Sequence, residues 1–220
     1  MLRRFRTLKH SFVNDQTIEP TQVAGFNQFF DGINGESSWR YGVGIDQQVL
    51  DNMRIGYEWS QRDIKYPDIQ TQSTLLITER LHRAYWNYII MEGLVASVDY
   101  LYSFYDNASY FEIARNLETH KLPFGLSYFS ANGLSLHIKP AYYSQKGEYS
   151  DDFVNFIPQK SDFLLLDLSA QYRLPKRYGL ITLGVLNVFD NRFAYTDTDF
   201  QRSSLFPERI FFSSVTLSIQ

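Results

Sequence analysis

Few residues of this 220-residue chain have the types and spacing that catalysis requires. The nearest candidate is the adjacent pair Asp151 and Asp152, since two carboxylates can share general acid and base work. Neighbouring side chains of an extended segment diverge, however, and solvated acids are common in loops. We therefore expect the chain not to be an enzyme, and a barrel enzyme built on this pair stays the weakest of three functional hypotheses.

Metal and cofactor chemistry has equally little support. His10, His82, His120 and His137 are scattered, without the HxH or HExxH spacing of metal sites. The chain has no cysteine, which excludes disulfides, thiolate nucleophiles and thiolate-bound metals. The net charge of −3 gives no argument for nucleic acid as a partner. We therefore expect no cofactor, no metal and no nucleic acid.

Alternating apolar and polar residues organise the chain into β-strands. Leu164, Leu166 and Leu168 occupy one parity while Asp167 and Ser169 occupy the other, a separation that a strand produces and a helix does not. The same alternation predicts about ten strands, at roughly 21–30, 37–46, 52–62, 80–91, 94–105, 110–130, 134–145, 162–174, 179–189 and 208–220. We predict an all-β, antiparallel up-and-down transmembrane β-barrel over 21–220, with 1–20 as an N-terminal segment or partial strand. Residues 4–14 could form an eleventh strand.

The positions of the aromatic residues indicate whether the apolar side of the strands faces lipid or a buried core. No run approaches the roughly 18 apolar residues of a membrane helix, but a membrane strand shows lipid only alternate residues. With strands running alternately up and down, most aromatic residues of apolar parity reach one level, beside the longer connections: Trp39, Tyr41, Tyr57, Trp59, Tyr100, Tyr102, Phe104, Tyr142 and Phe189. Tyr128 and Tyr172 form a thinner belt at the opposite rim, while Trp86 and Tyr88 lie nearer mid-strand. Such belts are typical of membrane interfaces; a soluble barrel or sandwich is the alternative.

Two sets of residues are candidates for ligand binding. The first set lies in the predicted long connections, 63–79, 146–161 and 190–207, where binding groups tend to concentrate: Tyr66, Tyr149, Phe153, Tyr195 and Phe200. The second set consists of charges on the polar parity, which would line a lumen: Arg40, Arg54, Glu58, Arg83, Asp99 and Asp167. Ion pairs that hold the barrel wall are an equally good interpretation of the second set.

Two C-terminal stretches follow a recognisable pattern. Gly184–Tyr195 match the segment "v-x-N-l-F-D-x-x-Y", and a final strand of alternating residues follows Pro207. With these residues the chain resembles the end of a TonB-dependent outer-membrane receptor. The resemblance implies a bacterial outer-membrane protein that binds and imports a scarce ligand, such as a metal chelate or small nutrient. It also implies outer-membrane lipid, the barrel-assembly machinery and an energising inner-membrane complex, reached through an N-terminal plug, as partners. Within the motif, Asn187, Phe189 and Asp190 suit a strand end that bonds local backbone.

The chain also departs from that family. A complete receptor of this type has a 22-stranded barrel and a plug, whereas about ten strands and no plug are predicted here. The last residue is Gln220, where the assembly signal usually has an aromatic residue. We therefore expect the C-terminal portion of a larger barrel. The alternative is a passive pore, or the membrane-anchoring barrel of a larger fused protein.

Overall fold

The computed structural model describes residues 2–8, 22–23, 26–27, 37–68, 73–107, 114–150, 155–196 and 208–218. These residues form twelve β-strands and one 3-10 turn, Pro175–Arg177. The strands are β1 Leu2–Leu8, β2 Gln22–Val23, β3 Phe26–Asn27, β4 Ser37–Leu50, β5 Met53–Asp68, β6 Ser73–Met91, β7 Leu94–Asn107, β8 Ala114–Phe129, β9 Leu134–Tyr149, β10 Ile157–Arg173, β11 Gly179–Leu186 and β12 Ile210–Leu217. No helix among the described residues is long and apolar enough to cross a membrane.

Ten of these strands form one antiparallel sheet in the order β1-β4-β5-β6-β7-β8-β9-β10-β11-β12. After β1, each strand pairs with the next one along the chain, so the sheet is an up-and-down meander. β1 and β12 are its two edges, and no pairing joins them within the described part of the chain. The predicted all-β class and antiparallel order are confirmed, and the sheet as described is open.

The predicted first strand, 21–30, is wrong. Its described residues form β2 and β3, which pair only with each other in a separate two-stranded sheet. A strand offers two edges for pairing, and those of β4 are taken by β1 and β5, so β2 and β3 do not pair with it. The segment that joins the large sheet instead is Leu2–Leu8, which falls partly within the alternative strand 4–14.

The predicted long loops at 63–79 and 146–161 are also wrong over their described residues, most of which lie in strands. β5 and β6 stay paired as far as Asp68 opposite Ser73, and β9 and β10 pair as far as Tyr149 opposite Ile157. Main-chain hydrogen bonds need no apolar side chains, so a ladder continues into a polar stretch where the sequence pattern fades. Residues 190–196, by contrast, lie outside regular strands as predicted.

The two ends of the sheet differ. At one end β4–β5, β6–β7, β8–β9 and β10–β11 are joined by tight connections, with Gly93 at φ +77° and Gly133 at φ +89° in two of them. A side chain at Gly93 would collide with the carbonyl oxygen of Phe129, so this turn requires glycine. At the opposite end β5, β7, β9 and β11 finish and β6, β8, β10 and β12 begin, and we call it the long-connection end.

The pairing register defines two faces of the sheet. The apolar face carries Tyr57, Leu164, Leu168, Val215 and their partners, and the mixed face carries the charged residues of the opposite parity. Large exposed apolar residues gather on the apolar face, where Val215 is 63% and Leu217 is 68% exposed. Buried apolar residues lie mainly on the mixed face toward the long-connection end: Ile64, Ile77, Leu117, Phe163 and Leu165. The core is therefore on the side that also carries the charges.

Candidate functional site

Rings of six adjacent strands, β4 to β9, form an aromatic band on the apolar face. Tyr57 Oη lies 2.8 Å from His82 Nδ1, and Tyr100 Oη lies 2.8 Å from His120 Nδ1. Tyr102 bridges the two histidines, with ring centroids 5.5 Å from His82 and 4.9 Å from His120. The band contains Trp39, Tyr41, Tyr57, Trp59, His82, Tyr100, Tyr102, Phe104, His120 and Tyr142. The register brings these residues side by side, so the band depends on sheet pairing.

Charges on the apolar face begin at the outer edge of this band, where Arg80 and Glu118 lie opposite Phe104, and continue toward the long-connection end. Lys146 Nζ is 2.9 Å from Glu118 Oε2, and Lys160 Nζ is 2.7 Å from Asp162 Oδ2. The hydrogen bond from Lys160 lowers the pKa of Asp162 and raises the pKa of Lys160. Tyr142 of the band also donates to Asp162 at 3.2 Å. The band therefore has its hydroxyl and imidazole groups next to a charged rim.

On the other side of the band the apolar face is uncharged over the described residues. It presents aliphatic and aromatic side chains down to the tight turns, among them Val43, Ile45, Ile55, Val98, Leu122, Phe124, Ile138, Leu164, Leu168 and Leu183. Trp86 and Tyr88 stack at 5.5 Å. Tyr88 lies three residues before the end of β6, at the same turn end as Tyr128 and Tyr172. Tyr88 is therefore nearer the turn end than predicted, whereas Trp86, opposite Val98, keeps its predicted mid-strand position.

Charges of the mixed face form ion pairs. Arg83 Nη2 is 2.7 Å from Asp99 Oδ1, and Arg40 Nη2 is 4.0 Å from Glu79 Oε2. Arg54 Nε is 3.6 Å from Asp46 Oδ1. Two further charges on this face are placed by the register and by backbone contacts. Glu58 lies directly across from Arg83, and Asp167 accepts a hydrogen bond from the Asn187 backbone N–H at 2.9 Å. All six predicted lumen residues thus share this face, four of them in ion pairs.

Residues 191–196, which we call the inner strap, lie against the mixed face. Phe193 stacks on Phe163 with centroids 4.2 Å apart, and the Tyr195 ring meets the Tyr143 ring edge-on at 6.2 Å. Lys121 Nζ lies 5.2 Å from the centre of the Tyr195 ring. The strap and the buried residues beneath it fill this face near the long-connection end.

Gln145 fixes the end of the inner strap. Its amide donates to the Thr196 carbonyl at 2.9 Å and accepts from the Thr196 N–H at 2.8 Å. The same amide donates to Thr119 Oγ1 at 3.0 Å and accepts from Tyr149 Oη at 3.2 Å. Gln145 is 1% exposed, so a fully satisfied amide sits in the interior of this cluster.

Two of the five residues predicted on loops come together here. Tyr149 and Tyr195 both belong to the cluster around Gln145 and the strap, although Tyr149 lies in β9 and not in a loop. Tyr66 lies in β5, and its side chain is outside the described part. Phe153 and Phe200, the pair Asp151 and Asp152, and His10 are likewise outside the described residues.

Sequence reasoning missed Tyr143, Gln145, Phe163, Phe193 and Lys121. A signal was available, because Tyr143, Phe163 and Leu165 are large apolar residues on the parity that otherwise carries charges. It also missed His82 and His120 as members of the aromatic band. These two histidines are 38 positions apart, and Tyr102 contacts both of them. Their proximity depends on the pairing of three strands, which the sequence does not show.

The residues of the family-like motif shape a turn. Asn187 has φ +49° and Asp190 has φ +56°, values that Asn and Asp tolerate better than most residues. Asn187 exchanges two hydrogen bonds with the Asn191 backbone, at 2.9 and 3.1 Å. Asp190 accepts from the Arg209 N–H at 2.9 Å, while Phe189 is exposed. The motif therefore directs the chain from the end of β11 onto the mixed face.

Comparisons with protein-family models, with curated proteins and with solved structures found no match. Among the described residues, no group of three or more His, Cys, Asp or Glu side chains could hold a metal ion. The interpretation of function accordingly rests on the two faces of the sheet and on the strap.

Proposed function

We propose that the chain is a bacterial outer-membrane β-barrel of the TonB-dependent receptor type, acting as a component that binds and imports a scarce small ligand. The observation that carries the proposal is the segregation of the apolar face. Large apolar residues are exposed on it, charges are confined to the outer edge of the aromatic band and the region beyond it, and Tyr88, Tyr128 and Tyr172 mark the other end. Two aromatic levels that bound an apolar zone are the pattern of a barrel in lipid.

The height of the apolar zone supports this proposal. From Leu134 to Tyr142 in β9 and from Leu164 to Tyr172 in β10, eight residue steps separate the two aromatic levels. Eight steps extend about 26 Å along a strand. At the usual tilt of about 35–45° they span about 19–22 Å, close to the apolar band of about 25 Å on outer-membrane barrels.

The placement of charge supports it as well. A Lys or Arg facing lipid at mid-bilayer costs about 2–4 kcal/mol. Arg40, Arg54 and Arg83 avoid that cost because they lie on the mixed face, in ion pairs with acidic residues. A soluble sheet with one wet face would reverse this arrangement, with its polar residues exposed and Leu164 and Leu168 buried.

Closure of the barrel is part of the proposal. An open edge in hydrocarbon leaves main-chain groups without partners, at several kcal/mol each. Ten antiparallel strands in sequence place β1 and β12 in opposite directions, so these edges can pair with each other or with further strands of a larger barrel. The receptor role follows from the C-terminal motif. A passive pore agrees less well with a mixed face that is packed near the long-connection end.

Membrane insertion is tested by adding one charge to each face. Leu168 is on the apolar face in mid-strand and Ser169 is the next residue, on the mixed face. We expect Leu168→Lys to destabilise the folded protein in phospholipid vesicles, reducing its free energy of unfolding by about 2–4 kcal/mol. Ser169→Lys should change the free energy of unfolding much less. Urea unfolding followed by tryptophan fluorescence measures both. Equal effects of the two lysines, or a folded detergent-free monomer, would contradict the proposal.

The receptor role needs its own measurement. Folded protein in detergent should retain a scarce nutrient saturably, with ferric citrate as the first probe, in equilibrium dialysis against heat-unfolded protein as control. Saturable retention of that probe, or of other metal chelates tested in the same way, supports the receptor. Vesicle insertion without saturable retention across that panel would overturn it in favour of a membrane anchor.

A further inference from the structure

The path of the inner strap differs from that of every other described connection. Residues that follow β11 do not extend away from the sheet but turn back across β10 and β9. Asn191 Nδ2 donates to the Leu164 carbonyl at 2.7 Å, and the Val188 N–H donates to the Leu166 carbonyl at 2.8 Å. The strap then crosses to Gln145 in β9. It therefore lies over the packed part of the mixed face at the long-connection end.

Main-chain pairing does not hold the strap, which has no strand assigned to it. Its far end is attached by the two Gln145 hydrogen bonds, in which a side-chain amide takes the place of a neighbouring strand. Its middle is attached by the Phe163–Phe193 stack. We call these two contacts the latch. The Tyr195 ring adds side-chain contacts with Tyr143, Phe163 and Lys121, so the strap is held by side chains, whereas each strand pair of the sheet is joined by main-chain hydrogen bonds. The strap can therefore detach while the sheet remains paired.

The turn at the start of the strap is suited to act as a fixed pivot. Asn187 is buried and Asp190 is held by Arg209, whose Nη2 lies 3.7 Å from Asp190 Oδ2. Both carry the positive φ angles that redirect the chain. With one end anchored in this way, loss of the latch moves residues 191–196 more than it moves the turn.

We propose that the inner strap is an internal closure that blocks the path along the mixed face at the long-connection end, and that Gln145 and Phe163 are its latch. This inference rests on the proposed barrel, in which the mixed face encloses water. Below the strap the same face carries small and polar residues, including Ser97, Ser127, Ser169 and Gln171. Release of the strap opens this polar zone to the long-connection side, and its closed position gives the barrel a low passive conductance.

The latch is tested by planar-bilayer conductance of the refolded chain. Gln145→Ala removes both bonds to Thr196, and Phe193→Ala removes the stack. We expect each variant to raise the mean conductance several-fold over the parent protein. The double variant should add little, because either change frees the same strap. Gln171→Ala, an inward polar residue of β10 away from the strap, is the matched control and should leave the conductance unchanged.

A second readout reports on the strap itself. The chain has no cysteine, so Thr196→Cys introduces a single thiol, and the latch bonds to residue 196 use its backbone. Maleimide should modify this thiol slowly in the parent and at least ten times faster in the Gln145→Ala background. Gln145→Glu, which keeps the acceptor and loses the donor, should fall between them and covers the case in which Gln145→Ala does not refold.

The outcomes separate this inference from the proposed function. Fast thiol labelling with unchanged conductance overturns the closure, since the strap would then be free without opening a path. Slow labelling in every latch variant overturns the latch. Failure of the lysine test on Leu168 and Ser169 would instead remove the membrane barrel itself.

Discussion

The ring of Tyr85 lies directly over Gly56 on the neighbouring strand. A Cβ atom added to Gly56 would collide with the ring, and the Tyr85 hydroxyl bonds Asp46 one strand further along. Phe212 covers Gly184 in the same way between β12 and β11. An aromatic ring that covers a glycine across strands compensates for the missing side chain and fixes the register. Both pairs are on the mixed face.

Gly56→Ala should therefore destabilise the folded protein by about 1–3 kcal/mol, because the methyl group forces the Tyr85 ring out of place. Gly44→Ala is a close control on the same face. Its Cβ would meet only the Tyr57 carbonyl oxygen, at 3.8 Å. We expect Gly44→Ala to be neutral or slightly stabilising, since alanine restricts the unfolded chain. Urea unfolding in vesicles measures both, and equal losses would contradict the ring-over-glycine account.

Tyr57→Phe tests the hydrogen bonds of the aromatic band. The change removes the hydroxyl that meets His82 and keeps the ring, so we expect a loss of about 0.5–1.5 kcal/mol in the free energy of unfolding. Tyr88→Phe is the control, because the Tyr88 hydroxyl has no hydrogen-bond partner among the described residues. A loss at Tyr88 as large as that at Tyr57 would show that the hydroxyl acts through water or headgroups and not through His82.

The Arg83–Asp99 pair should contribute modestly to stability. Both side chains are partly exposed, at 40% and 25%, so screening by water limits the interaction to about 1 kcal/mol or less. A double-mutant cycle with Arg83→Met and Asp99→Asn, followed by urea unfolding, measures the coupling energy. A coupling of several kcal/mol would mean that this part of the face is dry.

Asp162 should titrate below its ordinary pKa because Lys160 donates to its carboxylate. A lowered folded-state pKa stabilises the protein above the unfolded pKa, and this stabilisation is lost as the pH falls through the folded pKa. Lys160→Ala should move the Asp162 pKa upward, as followed by carboxyl NMR in detergent. Lys65→Ala on β5 serves as control, and an unchanged Asp162 titration in Lys160→Ala would contradict the pair.

Alternation predicted the faces of the sheet correctly because each strand pairs with its chain neighbour and parity carries through the register. Leu164, Leu168, Val215 and Leu217 are on the apolar face as expected. The position of Leu2–Leu8 could not be predicted, since which segment takes the free edge of β4 depends on pairing partners distant in sequence. The polar ends of β5, β6, β9 and β10 could not be predicted either, because the prediction relied on alternating hydrophobicity.

The candidate site was predicted only in part. Charges of the mixed face were found by parity, and Tyr149 and Tyr195 by their position near connections. Gln145 was overlooked because a lone glutamine in a strand has no sequence signature. Its role arises from Thr196, 51 residues away, which reaches it only once the motif turn has redirected the chain.

The two edge strands of the sheet, β1 and β12, each have one side that no described strand covers, and this has a practical consequence for handling the protein. Backbone amides and carbonyls along such edges act as templates for further strands. In the absence of lipid, the edge strand of one molecule can pair with the edge strand of another, and the product is a polymer of paired copies. Refolding at high dilution into preformed bilayers suppresses this polymerisation, because each edge strand then pairs within its own molecule before it encounters another molecule.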